Sequence, residues 1–271
     1  MPGRVVMLTD GNPHGLGILE GLTRRRVAID AVVMQSEACF ATCLEDSARL
    51  GPLRRLAALG RYVVRRHRAA SGLRPWRDNT KRIVLTGALN GARMRADLEA
   101  ARPDWLVLGG IGILDASILG TARQGVLNAH PGLLPWIRGT GVVGRALERG
   151  IAVGATTHFV NAGIDLGDVI ERRLVAVTGK ERGLANVEEA AGRLAIDMMV
   201  DLVAGIATGA IDRPPSVRQR ERFPICKWLS EEERQRMDAA VREGLAGRLF
   251  ERWRVRCDER LRLPADLDVA V

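Results

Sequence analysis

Short apolar runs rich in β-branched residues alternate with stretches of helical spacing along the first half of this chain, and that alternation constrains the fold more than any other feature. RVVMLTD (4–10) stops at Asp10-Gly11-Asn12-Pro13, which predicts a buried strand entering a tight loop. Leu16, Leu19 and Leu22 follow at helical intervals. AIDAVVM (28–34), RIVLTG (82–87), DWLVLGGIGIL (104–114) and GVLNAH (125–130) supply four further strands, with a helix over 90–101. Strands that are apolar throughout, rather than apolar at every second residue, are covered on both faces. The fold class expected is therefore α/β, a Rossmann-like, doubly wound, mostly parallel sheet.

After Gly139 the spacing predicts a helix to about Arg149, a strand in GATTHFVN (154–161), a turn at AGIDLGD, a strand over 169–177 and a long helix over 182–209. RPPS (213–216) is a helix stop and a plausible linker. Two domains follow: 1–212, with a basic insert at 49–77, and a helical C-terminal extension at 213–271. Ser230 with Glu233 makes a capping box opening a helix over about 231–257. Met237, Val241, Leu245, Leu249 and Trp253 recur along it in steps of four, which suits docking on the first domain or on a second copy, as a homodimer would.

The net charge of +9 resembles a nucleic-acid signal until it is located. Residues 49–77 hold nine Arg and no acidic residue, so the remaining 32 basic residues are matched by 32 acidic ones. Leu53, Leu56, Val63 and Val64 lie roughly on one helical face there, with Arg54, Arg55, Arg61, Arg65 and Arg68 around it. A solvated helix packed on the domain weighs about as much as a clamp for phosphates or folate glutamates and a membrane-surface helix together. Only three basic residues are Lys, a chain-wide bias that weakens the case for Arg chosen to grip phosphate. Cys39, Cys43, Cys226 and Cys257 are too scattered for a disulfide framework and have no zinc spacing. No run approaches the length of a membrane span, and the start lacks a secretory layout, so the expectation is a cytoplasmic protein without a transmembrane segment or metal.

In doubly wound sheets ligands bind at the carboxyl ends of strands, where Asp10-Gly11-Asn12 and Asn128-Ala129-His130 both fall. Strand alternation puts Asn128 and His130 side by side while Ala129 points away. An amide donor beside a titratable ring suits a reaction that builds negative charge on a carbonyl oxygen, although it does not name one. A lone His is more often a satisfied core residue. Asp165 in AGIDLGD is by itself an ordinary turn residue, and His158 sits in mid-strand as a structural neighbour.

These residues resemble the folate-dependent formyltransferases: glycinamide ribonucleotide formyltransferase, the catalytic domain of methionyl-tRNA formyltransferase, and the sugar N-formyltransferases. The chain reads Asn128-Ala129-His130-Pro131-Gly132-Leu133-Leu134-Pro135, Arg138-Gly139, Gly154-Ala155-Thr156-Thr157-His158 and Asp165-Leu166-Gly167-Asp168. The interval from His130 to Asp165 is one residue shorter than usual in that family. The resemblance is diffuse over 4–120 and strong over 125–170. It implies 10-formyltetrahydrofolate as donor and a tetrahedral intermediate, with Asn128 donating to the oxyanion. It also implies that His130 is kept protonated or poised to shuttle a proton, and that Asp165 orients a water that relays the amine proton. By the same resemblance, Ile111, Gly112, Ile113 and Leu114, with Asp165, would meet the folate. Asp10, Gly11, Asn12, Arg138 and Gly139 would meet the acceptor.

The first loop, Asp10-Gly11-Asn12-Pro13-His14-Gly15, departs from the family's purine-enzyme phosphate loop, since Pro13 removes a backbone donor. Residues 217–271 read as helical and too short for the β-barrel of the tRNA enzymes, so nucleic acid is disfavoured. The enzymes that hydrolyse formyltetrahydrofolate carry a domain in front, whereas strand one starts here at residue 4. The expected acceptor is a small-molecule amine, phosphorylated or nucleotide-linked: an amino sugar nucleotide or a natural-product intermediate. Two rivals stand beside this: a non-catalytic anion- or nucleic-acid-binding protein on the same scaffold, and transfer of another one-carbon group such as carbamoyl or hydroxymethyl.

Overall fold

A computed structural model describes residues 2–35, 79–264 and 267. The basic segment 49–77, with Cys39 and Cys43, lies outside the described residues. The chain divides into two compact units, one of residues 1–126 and 203–212, the other of residues 127–202 and 213–271.

The first unit is a parallel sheet with helices. β1 (Val5–Thr9) pairs in parallel with β2 (Ala31–Gln35) on one side and β4 (Trp105–Gly109) on the other, and β2 pairs in parallel with β3 (Ile83–Thr86). Every residue of β1 and β4 is buried, as continuous apolar runs require. The second strand starts three residues later than its apolar run predicts. The Asp30 carboxylate there accepts from the Val5 N–H, and Ile29 forms only an isolated bridge to Thr80.

Helix α1 (Pro13–Arg24) begins with proline in its first turn, where no amide donor is missed, and Asn12 caps it by accepting from the Gly15 N–H. Gly15 has to be glycine: a Cβ would stand 2.3 Å from the Gly109 carbonyl oxygen, so helix and strand touch backbone to backbone. α2 (Ala92–Ala101) and the short α3 (Ala116–Leu119) complete the crossovers.

In the second unit, the last four residues of β5 (Gly125–His130) pair antiparallel with β7 (Gly154–Phe159), and β7 pairs antiparallel with β8 (Val169–Leu174). A two-residue strand β6 (Arg138–Gly139) and helix α4 (Val142–Glu148) lie between β5 and β7. The long helix α5 (Leu184–Ala207) matches the predicted helix over 182–209 within two residues at each end.

Residues 213–271 correct the sequence reading in three ways. They are not a separate extension, because they pack into the second unit's core: Val241, Leu249, Phe250 and Trp253 are buried with Leu147, Ile151, Leu174 and Val187. They are not wholly helical, since β9 (Ile225–Cys226) pairs in parallel with β6. The helix expected over 231–257 is two helices, α6 (Glu231–Arg242) and α7 (Leu245–Arg254). The break falls at Gly244, which is left-handed at φ 84°, and a Cβ on Gly247 would stand 2.6 Å from the Gly179 Cα. RPPS is likewise no free linker, because Val217 just beyond it exchanges backbone hydrogen bonds with Val169. The capping box is present as read, with Ser230 and Glu233 satisfying each other's backbone donors. Trp253 is buried edge-to-face on Trp136, with centroids 5.8 Å apart.

Candidate active site

The site in the second unit starts from strand register. Asn128 stands opposite His158 and His130 opposite Thr156 across the β5–β7 pair, so alternation gathers all four side chains on one face. The β7–β8 hairpin then returns through a loop in which Asp165 takes the left-handed conformation, φ 51°.

Asp165 sits between the two imidazoles. One carboxylate oxygen lies 3.7 Å from His130 Nδ1 and accepts a 2.8 Å hydrogen bond from the Gly139 N–H; the other lies 3.8 Å from His158 Nε2. Carboxamide, imidazole and carboxylate, which the motif separates along the chain, therefore meet at one place. A turn residue alone would not lie there.

Carbonyl partners fix both histidine tautomers, because a carbonyl oxygen only accepts. His158 Nδ1 donates to the Phe159 oxygen at 2.7 Å, leaving Nε2 as a lone pair that receives the Asn128 amide at 3.3 Å. The Asn128 amide is thus held nitrogen-inward, with one N–H on His158 and a second to give. His130 Nε2 donates to the Ile137 oxygen at 3.1 Å, so the neutral ring turns the Nδ1 lone pair toward Asp165.

Of the two states the resemblance implies for His130, protonated or poised to shuttle a proton, burial favours the second. Burial lowers its pKa below the ordinary histidine value, against the raising effects of Asp165 and the Ile137 carbonyl. His158 is also pushed down, to about 4, by burial and by His130, although Asp165 opposes this. Both rings are therefore neutral near pH 7. His130 presents a base, not a standing imidazolium.

Thr156 fixes the loop after His130: its hydroxyl donates to the Gly132 oxygen at 2.7 Å and accepts from the Leu134 N–H at 3.1 Å. The buried Arg172 donates to the Leu134 oxygen at 2.5 Å and lies over Trp136. Burial lowers the pKa of Arg172 to about 10. Sequence reading missed both Thr156 and Arg172. The signal for Thr156 was its place two residues before His158 on the same strand face.

Arg138, expected to meet the acceptor, is 7% exposed and turned inward. Its guanidinium donates to the Ile164 oxygen at 3.1 and 2.6 Å and to the Phe223 oxygen at 2.9 Å. It holds the loop that carries Asp165, and three of its N–H groups are spent on protein carbonyls. Gly139 contributes through its backbone: its N–H meets Asp165, and at φ 96° a Cβ would stand 2.5 Å from the Cys226 carbonyl oxygen.

In the first unit, the donors of the first loop are engaged within it. Gly11 N–H donates to the Thr9 hydroxyl, Asn12 N–H to the Asp10 carboxylate, and Gly15 N–H to the Asn12 side chain. The Asn12 amide donates to the Gly110 oxygen at 2.5 Å. Beyond β4, Gly112 and Ile113 are exposed, Ile113 at 69%, while Leu114 is buried. Asn90 pins this stretch by donating to the Ile113 oxygen and accepting from the Asp115 N–H.

Comparison with known proteins agrees. Residues 79–202 match the formyl transferase family model. A methionyl-tRNA formyltransferase of Bordetella pertussis is 36% identical over 122 residues, which cover 44% of this chain and 39% of that protein. One of Pseudomonas fluorescens is 28% identical over 50% of this chain and 43% of its own length. The chain thus spans about two fifths of the length of the curated relatives it matches. Among solved structures, a sugar N-formyltransferase from a Shewanella species superposes with a TM-score of 0.53 at 16% identity, covering 83% of this chain and 76% of that one. A phosphoribosylglycinamide formyltransferase from Anaplasma phagocytophilum gives 0.54 at 19% identity, covering 82% and 97%. Those two likenesses bear out the α/β class expected from the strand runs. Asn128, both histidines and Asp165 all lie within the stretch that matches the formyl transferase family model.

Proposed function

We propose that this chain is an N-formyltransferase that moves a formyl group from 10-formyltetrahydrofolate to a primary amine of a small molecule. The observation that carries the reading is the meeting of Asn128, His130 and Asp165, with the histidine lone pair turned to the carboxylate. The amine nitrogen attacks the formyl carbon, and the carbonyl electron pair moves onto oxygen, where the free Asn128 N–H donates to it. The amine proton passes to His130 Nδ1, directly or through a water held by Asp165, and the new imidazolium is stabilised by the carboxylate beside it. Collapse of the adduct breaks the bond to the folate nitrogen, which takes the proton back from His130. Ile111, Gly112, Ile113 and Leu114 are proposed to meet the folate, chiefly through backbone and the Ile113 side chain.

For the acceptor we propose an amino sugar nucleotide or a natural-product amine. Support comes from the first loop, whose three backbone donors serve its own side chains, leaving a poor phosphate cradle of the purine-enzyme kind. Aminoacylated tRNA is the second reading, favoured by the activity in the name of the Bordetella pertussis relative. The test is release of tetrahydrofolate by the purified chain, supplied with 10-formyltetrahydrofolate and, in separate arms, amino sugar nucleotides, glycinamide ribonucleotide and methionyl-tRNA. Turnover with a sugar nucleotide that Asn128→Ala and His130→Ala abolish is expected. Turnover with tRNA alone overturns the acceptor, and unimpaired variants overturn the mechanism.

A further inference from the structure

We propose that Gln219 is a positioning residue for Asp165, so that the segment after residue 213, outside the stretch matching the family model, completes the reactive centre. The proposal rests on the formyl-transfer reading for its kinetic consequence but not for its structural one. The loop carrying Asp165 turns the carbonyls of Ile164, Asp165 and Gly167 onto two side chains. Arg138 takes the first. Gln219 Nε2 takes the other two, at 3.0 Å from the Asp165 oxygen and 2.6 Å from the Gly167 oxygen.

The loop's own bonds, Gly163 N–H to the Asn161 side chain and Phe159 N–H to the Asp168 oxygen, leave the Asp165 carbonyl to Gln219. Asp165 is left-handed, a conformation that non-glycine residues keep only where the surroundings impose it. Gly167 offers no slack, because a Cβ there would stand 1.7 Å from the Phe159 oxygen. Apart from its carboxylate's bond to the Gly139 N–H, Asp165 is therefore held by Gln219 through its own carbonyl.

The amide orientation is also determined. Reversed, Gln219 would set its oxygen against two carbonyl oxygens. As placed, Oε1 is buried without a hydrogen-bond partner among the described residues. An unpaired buried oxygen costs stability, so the side chain is poorly explained as a stabiliser alone. It is explained by the two donors it aims at the loop. The segment bearing it is itself anchored, since Arg138 also holds the Phe223 oxygen, and Ile225–Cys226 pairs with Arg138–Gly139.

The experiment compares wild type with Gln219→Met, which keeps the length and removes the donors, and Gln219→Asn, which keeps the amide but falls a methylene short. Each is read by thermal melting, by the NMR titration of the His130 ring and by kcat and KM for the folate. The charged and titratable groups facing His130 are Asp165 and His158, with the Ile137 carbonyl at Nε2. With the carboxylate displaced, the His130 midpoint falls, because the group that favours its protonated form has receded. kcat falls about 10- to 100-fold with KM changed less than about threefold, the scale of an ångström's misplacement. A folded variant with an unmoved His130 titration and kcat within about twofold overturns the proposal, as does loss of the fold in both variants. The titration needs no turnover, so a wild-type chain inactive toward every acceptor sinks the proposed function while leaving this test standing.

Discussion

Lowering the pH from 7 to 5 should destabilise this protein through His158, and the size follows from its burial. The folded-state pKa of about 4 lies below the ordinary value of 6.5, so the unfolded chain binds protons in that interval and the folded one does not. Stability is thus full above pH 6.5 and drains away as pH falls toward 4. Linkage for one such group gives a loss of about 2 kcal/mol between pH 7 and pH 5. His130 and His14, both also lowered by burial, add in the same direction. Carboxylates such as Asp104 and Asp115, whose pKa values are depressed, act the same way but only below the ordinary carboxylate range, so the windows separate. The assay is urea denaturation at pH 7.5, 6.5, 5.5 and 5.0, for wild type and His158→Leu. The variant will be less stable at neutral pH, having lost its bonds to Asn128 and Phe159, yet its stability should depend less steeply on pH. A wild-type stability flat from pH 7.5 to 5, or an equal slope in His158→Leu, refutes the neutral buried ring on which both tautomer assignments rest.

Asn128→Ala should lower kcat by about 10²- to 10³-fold with little change in folate KM, measured by tetrahydrofolate release. kcat should stay level from pH 8 to 6.5, because His130 already carries a lone pair there; an acid limb centred above pH 7 contradicts its burial-lowered pKa. Arg138→Lys, which cannot span both the Ile164 and Phe223 carbonyls, should melt at lower temperature by roughly 5 °C and lose activity in parallel, by calorimetry and turnover. Gly167→Ala should cost about 3 kcal/mol or more, or fail to fold, because its Cβ would overlap the Phe159 oxygen; a wild-type melt would show that the hairpin can shift.

Much of this was legible in order along the chain, because it depends on local pattern. β5 ends where its apolar run ends, Asn128 and His130 share the face that period two assigns them, and Ser230 caps its helix as the spacing requires. The C-terminal segment was not. Its apolar residues recur at four-residue steps on both sides of Gly244, so the pattern runs unbroken through a helix break that only the left-handed glycine enforces. Residues 219–226 carry Arg, Glu and Pro in a stretch that looks solvated, and nothing local foretells that two of them pair with Arg138 and Gly139.

Charge was the least readable property of all, and Arg138 shows why. An arginine beside a catalytic motif is reasonably assigned to an anionic substrate, since a guanidinium in water costs nothing to leave exposed. Its actual work depends on carbonyl oxygens 26 and 85 residues further on, brought to it by the hairpin and by β9. The same two contacts make the segment at Phe223 and the loop at Asp165 answer to one side chain. A substitution in either should therefore be felt at His130, and the shared arginine makes their effects non-additive. A double variant of Arg138 and Gln219 losing no more activity than the worse single variant is the expected mark of one clamp; fully additive losses would mean two independent supports.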